Sequence, residues 1–245
     1  MSDTLKSIWF AAITALISSL LLTGASSGLK EYRLANIKID NQKNLLKAVG
    51  LLHPDAAYSG EEIEKLYQAN IQGYQADASG AIAPQSASMQ KEGRPLFLYV
   101  KDNTIQAYIL PVHSKGLWGK IDGYLALEND GRTVAGFTVF SHGETPGLGG
   151  EIETAWFQEN FRGKMIVDSG GQFASIAIAK GRVADRIPVD SQANFVDGIS
   201  GATLTGRFLS EGLRGTLLAY EKVSKNFRAG RINLNPAATG KTGSP

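Results

Sequence analysis

The sequence predicts an α+β protein: one N-terminal transmembrane helix, then a mixed α+β domain whose sheet is largely antiparallel. Three observations predict it. No charged residue stands between Ser7 and Leu29. Two stretches of strand-like residues are each broken by a turn signal, Asp102-Asn103 and Asn129-Asp130-Gly131, the pattern of hairpins. Helical spacing flanks them, with Leu45, Val49 and Leu52 before and Leu209, Leu213, Leu217 and Tyr220 after. Helices, then hairpins, then mixed elements make α+β rather than a regular alternation.

Composition bounds the rest. At 245 residues the chain has room for one medium domain and an accessory segment. With 43% hydrophobic and 20% charged residues it folds rather than staying disordered throughout. Lysine and arginine total 25 against 23 aspartate and glutamate, a balance that argues against a nucleic-acid binder. There is no cysteine. That excludes disulfides, thiolate zinc sites, iron–sulfur clusters, thiol nucleophiles and a lipid-modified Cys, and leaves the compartment open.

The elements follow in chain order. Ile8–Leu22 is almost wholly apolar, and Thr23–Ser27 adds small residues that extend it to the roughly 20 residues a bilayer core requires. Trp9 suits an interfacial anchor. The same run admits a cleavable signal peptide, with Lys6 as its charged start and Ala25-Ser26-Ser27 as the cleavage site. Lys30, Arg33 and Lys38 follow the segment and only Lys6 precedes it. The positive-inside count therefore favours a cytoplasmic C-terminal side, a rule that weakens before a large domain.

A helix is expected over Asp40–Leu52, ended by His53-Pro54. Ser59 and Glu62 make a capping-box pattern ahead of Ile63, Leu66, Tyr67 and Ile71. Residues 76–93, rich in Ala, Ser, Gly and Gln, read as a loop. Leu96–Lys101 pairs with Thr104–Leu110, and Ile121–Glu128 with Thr133–Phe140. Glu151–Phe161 reads as a helix, and Lys164–Val167 and Phe173–Ala179 as strands. Leu209 to Tyr220 marks the last amphipathic helix. From Ala229 onward nothing is periodic, and a disordered tail is expected.

Glycine is in excess, and much of it sits in two clusters. The first, Ser141-His142-Gly143-Glu144-Thr145-Pro146-Gly147-Leu148-Gly149-Gly150, follows an apolar strand. Its glycines let the backbone approach a flat ligand, with Glu144 and Thr145 offering polar groups; a long loop without ligand is the alternative. The second, Asp197-Gly198-Ile199-Ser200-Gly201-Ala202-Thr203, runs into the last helix. Its N–H groups and dipole suit a phosphate, while ordinary capping explains the same residue types. The histidines, at 53, 113 and 142, have no metal-ligand spacing, no serine nucleophile with a partnered base is evident, and no catalytic residue is assigned.

The second cluster resembles the flavinylation signature of the FMN-binding domain family, and the first resembles that family's isoalloxazine-side loop. The two stand about 55 residues apart, in the family's order, behind one hydrophobic segment. Within that family the arrangement is similar to the C subunits of sodium-translocating NADH:quinone oxidoreductases, from Ser7 to about Phe227. The related G subunits of Rnf complexes carry the same two motifs and are the nearest alternative; a cofactor-free, signal-anchored binding module is the distant one.

The resemblance implies FMN joined by a phosphoester to Thr203, with Ser200, Gly201 and Ala202 around the phosphate and Asp197 opening the signature. It implies Glu144, Thr145 and Leu148 against the flavin. Trp118 is a stacking candidate, with burial in the core as its alternative. It further implies a single-pass protein of the bacterial inner membrane with a periplasmic domain, matured by a flavin transferase that uses FAD. Other membrane and flavin-bearing subunits are the implied partners in a relay from NADH to quinone coupled to sodium export. The corresponding organisation is a stub and anchor at 1–29, a helical part at 30–95, an FMN-binding core at 96–228 and a tail at 229–245.

Overall fold

The computed structural model describes residues 2–53, 56–85 and 93–232. The chain divides into two compact units, 1–40 and 41–245. In the first, α1 (Asp3–Gly28) is exposed along its whole length. Its 26 residues rise roughly 39 Å, enough to cross a hydrocarbon core of about 30 Å. Thr14 returns its hydroxyl to the Phe10 carbonyl, which satisfies a polar group that lipid could not.

Helix α2 (Lys30–Ala48) begins ten residues before the expected start at Asp40 and stops before His53. Gly50 decides the stop. Its φ of +72° lets the Gly50 N–H reach the Lys47 carbonyl and the Leu51 N–H reach Leu46, a left-handed helix cap. In the second unit α3 (Gly60–Asn70) starts on the expected capping box. Glu62 N–H donates to Ser59 Oγ, and Ser59 N–H donates to Glu62 Oε2.

Ile71 leaves the helix and opens a strand. β1 (Ile71–Ala76) pairs with β2 (Ile82–Pro84) and with β3 (Arg94–Lys101). This corrects the helical and loop readings of this stretch. Residues 86–92 of the expected loop lie outside the described residues. The local pattern concealed the strands because Ile71, Tyr74 and Ala76 are buried without strict alternation, and β2 is only three residues long, with Ile82 alone packed on the core.

β4 (Thr104–Lys115), β5 (Lys120–Glu128) and β6 (Val134–Ser141) complete an antiparallel sheet in the order β2-β1-β3-β4-β5-β6 among the described residues. Asp102 and Asn103, at φ 49° and 58°, make the tight turn expected between β3 and β4. At the β5–β6 turn Asp130 accepts from the N–H groups of Arg132 and Thr133 and from the Thr133 hydroxyl. Burial alone would raise this carboxyl, but those donors outweigh it and hold it below the usual aspartate range.

Beyond β6 regular structure thins. The expected helix at 151–161 is a 3-10 turn (Gly149–Glu153) followed by the short α4 (Ala155–Glu159), because Thr154 folds both its N–H and its hydroxyl onto the Glu151 carbonyl. The expected strands at 164–167 and 173–179 reduce to single bridges, Thr133 with Met165 and Val167 with Phe173, and to β7 (Ala177–Ile178). α5 (Val183–Arg186) then leads to β8 (Phe195–Val196), which runs parallel to β7.

Helix α6 (Thr203–Ala219) lies against β4, with Leu209, Leu213 and Leu217 wholly buried as their spacing predicts. Each such burial is worth about 1.5–3 kcal/mol. α7 (Glu221–Arg228) closes the core with Phe227 stacked on Tyr108 at 4.2 Å. Ile232 also packs on the core, so the first residues of the expected tail are placed; 233–245 lie outside the described residues.

Candidate functional site

The two glycine clusters, far apart in sequence, meet at the N-terminus of α6. In the second cluster Asp197 Oδ1 accepts from the Val183 N–H at 2.7 Å, so its carboxylate is spent on holding the neighbouring loop. Gly198 is required by close approach, since a Cβ there would stand 2.0 Å from the Ala179 carbonyl oxygen. Gly201 has φ +75° and places its Cα against Leu148, whose Cδ2 would lie 2.7 Å from an added Cβ. Ser200 and Gly201 are exposed and Ala202 is buried at the helix cap.

Ala202 has no side chain to offer the first turn of α6. The N–H groups of that turn have no carbonyl four residues back within the helix, and the positive end of the dipole is bare. Thr203, the first helical residue, is exposed, and among the described residues its hydroxyl makes no hydrogen bond. The ordinary capping that the sequence left open is therefore absent here.

In the first cluster the carboxylate of Glu144 points inward, and the residue is only 5% exposed. Oε1 accepts from the Trp118 N–H at 3.0 Å, and Oε2 accepts from the Thr205 hydroxyl in a short contact. Glycines make the space: a Cβ at Gly116 or Gly149 would strike the Glu144 carboxylate. Glu144 thereby ties three segments together: the β4–β5 turn, the loop after β6, and the first turn of α6. The Glu144 N–H donates to His142 Nδ1, which leaves the proton on Nε2 for Glu153 at 3.1 Å. His142 pins a turn.

Around the uncharged end of α6 the side chains of Leu117, Trp118, Leu148 and Leu204 are exposed. Trp118, at 71%, is no core residue. Thr145 is exposed, and its carbonyl accepts from the Leu148 and Gly150 N–H groups, which shapes the turn that carries Leu148.

Thr203 stands on the rim of a cleft of about 450 Å³ between α6 and residues 174–181, within the range of small-molecule sites. Its floor includes Ile176, Ile178 and Ile199, and Lys180, Arg207 and Arg214 contribute basic groups. Arg207 pairs with Glu211 at 3.2 Å, and Arg214 lies over the Phe173 ring at 5.5 Å. A second cleft, of about 300 Å³ beside Leu52 and Arg162, contains no residue of either glycine cluster.

Thr205, Gly116 and the wall at 174–181 escaped the sequence reading. Thr205 carries no local signal, because its partner is 61 positions away. Ser175, in that wall, had a signal only in the backbone, with φ at +70°.

A family model described as FMN-binding domain matches residues 116–217, the span from the β4–β5 turn to the end of α6. The C subunit of the Na(+)-translocating NADH-quinone reductase of Pseudomonas aeruginosa is 32% identical over 235 residues, covering 84% of this chain and 88% of that one. The crystal structure of the same-named protein from Parabacteroides distasonis superposes with a TM-score of 0.67 at 28% identity, covering 80% of this chain and 96% of that one. A structure from Shewanella oneidensis, at 21% identity and a TM-score of 0.61, shares the fold, covering 79% of this chain and 99% of that one.

Proposed function

The chain belongs to the family of the C subunits of Na(+)-translocating NADH-quinone reductases, and from that premise we propose that it carries FMN as a phosphoester on Thr203 and relays electrons within such a membrane complex. The observation that carries this reading is the exposed Thr203 hydroxyl on the uncapped first turn of α6, at the rim of the 450 Å³ cleft. These residues fit the group. The first-turn N–H groups offer donors to a phosphate. The one negative charge of a phosphodiester is favoured there by about 0.3–1 kcal/mol, and Arg207 adds a cation one turn along.

A threonine hydroxyl is a weak nucleophile at neutral pH, and no hydrogen-bonded base stands beside Thr203 among the described residues. Attachment is therefore assigned to a separate flavin transferase with FAD as donor. The Thr203 Oγ–phosphorus bond forms, the pyrophosphate bond breaks, AMP departs, and the hydroxyl proton goes to the transferase. When bound, FMN supplies the electron-transfer chemistry, and the protein supplies orientation and environment. Leu148, against Gly201, and the exposed Trp118 and Thr145 are the flavin contacts in this reading. Glu144 acts through them, as the tie that sets their spacing. Asp197, Ser200, Gly201 and Ala202 shape the phosphate end. In this reading α1 with the stub (1–29) is the anchor, 30–95 a preceding part, 96–228 the FMN-binding core in the periplasm, and 229–245 a tail. A covalent link keeps the carrier occupied at any dilution.

The test is direct. Produced with a flavin transferase, the chain retains flavin fluorescence after denaturation on a gel. Thr203→Ala loses it with an unchanged melting temperature, and Ser200→Ala keeps it. Covalent flavin in Thr203→Ala would refute the assignment.

A further inference from the structure

Three basic side chains line the cleft that Thr203 borders: Lys180, Arg207 and Arg214. Arg207 is paired with Glu211, and Arg214 lies over the Phe173 ring. Lys180 is exposed, and among the described residues its ammonium has no hydrogen bond or ion pair. It is the unspent cation of the three.

The backbone brings Lys180 level with Thr203. The Ile178 N–H donates to Ser210 Oγ at 2.9 Å, and the Ile178 side chain lies 3.1 Å from where a Cβ on Gly206 would stand. Phe173 lies farther along the helix, under Arg214. Residues 173–178 therefore run antiparallel to α6, and the chain beyond Ile178 heads for the helix N-terminus. Two extended residues advance about 6.6 Å, the rise of roughly four helical residues. That step leads from the level of Gly206 and Ser210 to the first turn of α6, where Thr203 stands.

The second glycine cluster holds Lys180 there. The Ala179 N–H donates to the Val196 carbonyl and the Gly198 N–H to the Gly181 carbonyl, so two bonds to residues 196–198 bracket Lys180. Gly198 permits the crossing, because a Cβ would meet the Ala179 carbonyl oxygen. Asp197 takes the Val183 N–H just beyond. A pinned backbone thus carries a side chain that has no partner among the described residues.

Resting on the Thr203 reading above, we infer that Lys180 binds the phosphate, both during attachment and in the finished phosphodiester. Its ammonium donates to a non-bridging oxygen on the phosphorus that Thr203 Oγ attacks. The Oγ–phosphorus bond forms, the pyrophosphate bond breaks, AMP departs and the hydroxyl proton goes to the transferase, while Lys180 keeps its own proton. Such charge-assisted bonds are stronger than neutral ones, and lysine serves phosphate as a point charge. The contact lies at the phosphate end and leaves the ring to the loops of Leu148, Thr145 and Trp118. Asp197 and Gly198 act through the backbone, by fixing the segment that carries the cation.

The experiment uses the full chain with a flavin transferase and FAD, as wild type, Lys180→Gln, Lys180→Arg and Lys101→Gln, a control in the β3–β4 turn. Gel fluorescence after denaturation follows the rate of attachment, and phosphorus NMR of the loaded chains reads the phosphodiester. Lys180→Gln attaches flavin roughly tenfold more slowly at saturating chain, with an unchanged KM for the chain. Its phosphorus resonance moves toward that of the denatured chain. Lys180→Arg recovers most of the rate, and Lys101→Gln matches wild type. All variants melt with wild type, because the substituted side chains are exposed. A wild-type rate and resonance in Lys180→Gln would overturn the role of Lys180 and leave Thr203 standing. A raised KM with an unmoved resonance would make Lys180 a contact for the transferase and overturn its phosphate role equally. A wild-type chain without covalent flavin would overturn the Thr203 reading, and this one with it.

Discussion

Thr205, in the first turn of α6, donates its hydroxyl proton to the buried carboxylate of Glu144, 61 positions earlier in the chain. The same carboxylate accepts from the backbone of Trp118. One ionisable side chain thus sets the distance between the loop that carries Leu148 and the helix that begins at Thr203. Both partners are buried.

Removing the hydroxyl leaves a carboxylate oxygen without its donor. Thr205→Val should lower unfolding stability by about 1–3 kcal/mol, read from urea titration. Glu144→Gln turns an amide toward one of the two donors and should cost a similar amount. The double variant should lose less than the sum of the singles, the mark of a shared interaction. Additive losses would separate the two residues.

Leu148 and Thr145 lie on the loop that this tie positions. Replacing Leu148 with Ala, or Thr145 with Val, should shift the flavin absorption bands or potential while gel fluorescence shows the flavin still attached. Spectra and potentials matching wild type in both variants would remove this loop from the flavin site.

Two tyrosines should govern the alkaline limb of stability. Burial raises the Tyr108 phenol well above its ordinary value near 10 and pushes Tyr220 up to about 12. A phenol raised by folding contributes fully below pH 10, and its contribution is lost as pH climbs through the folded value. Stability should therefore fall between about pH 10 and 12. Tyr220→Phe gives up the bond to the Pro95 carbonyl, about 1 kcal/mol at neutral pH, and should flatten that decline. Midpoints of denaturant unfolding measured across this range check both parts.

The anchor is tested in the native host. The exposed, uncharged stretch of α1 should keep the chain with the membranes through an alkaline carbonate wash, with its N-terminal residues intact. A mature N-terminus near Gly28 would instead identify a cleaved signal.

What the sequence determined by itself is what neighbours within a few residues decide. The Ser59–Glu62 box, the Asp102-Asn103 turn and the buried stripe of Leu209, Leu213 and Leu217 all rest on interactions over one or two turns, so their residues announce them. The two glycine clusters were legible for the same reason, since tight backbone geometry leaves its mark in composition. Tertiary structure alone decided the rest. β1 is a strand because β3 offers an edge to it, and β2 because β1 does in turn. Thr203 lies bare because its cap residue is an alanine packed in the core, and Glu144 faces inward because Thr205 and the Trp118 backbone wait there. Each of these is fixed by a partner brought near only when the chain closes, and no local pattern records a contact made across such a separation.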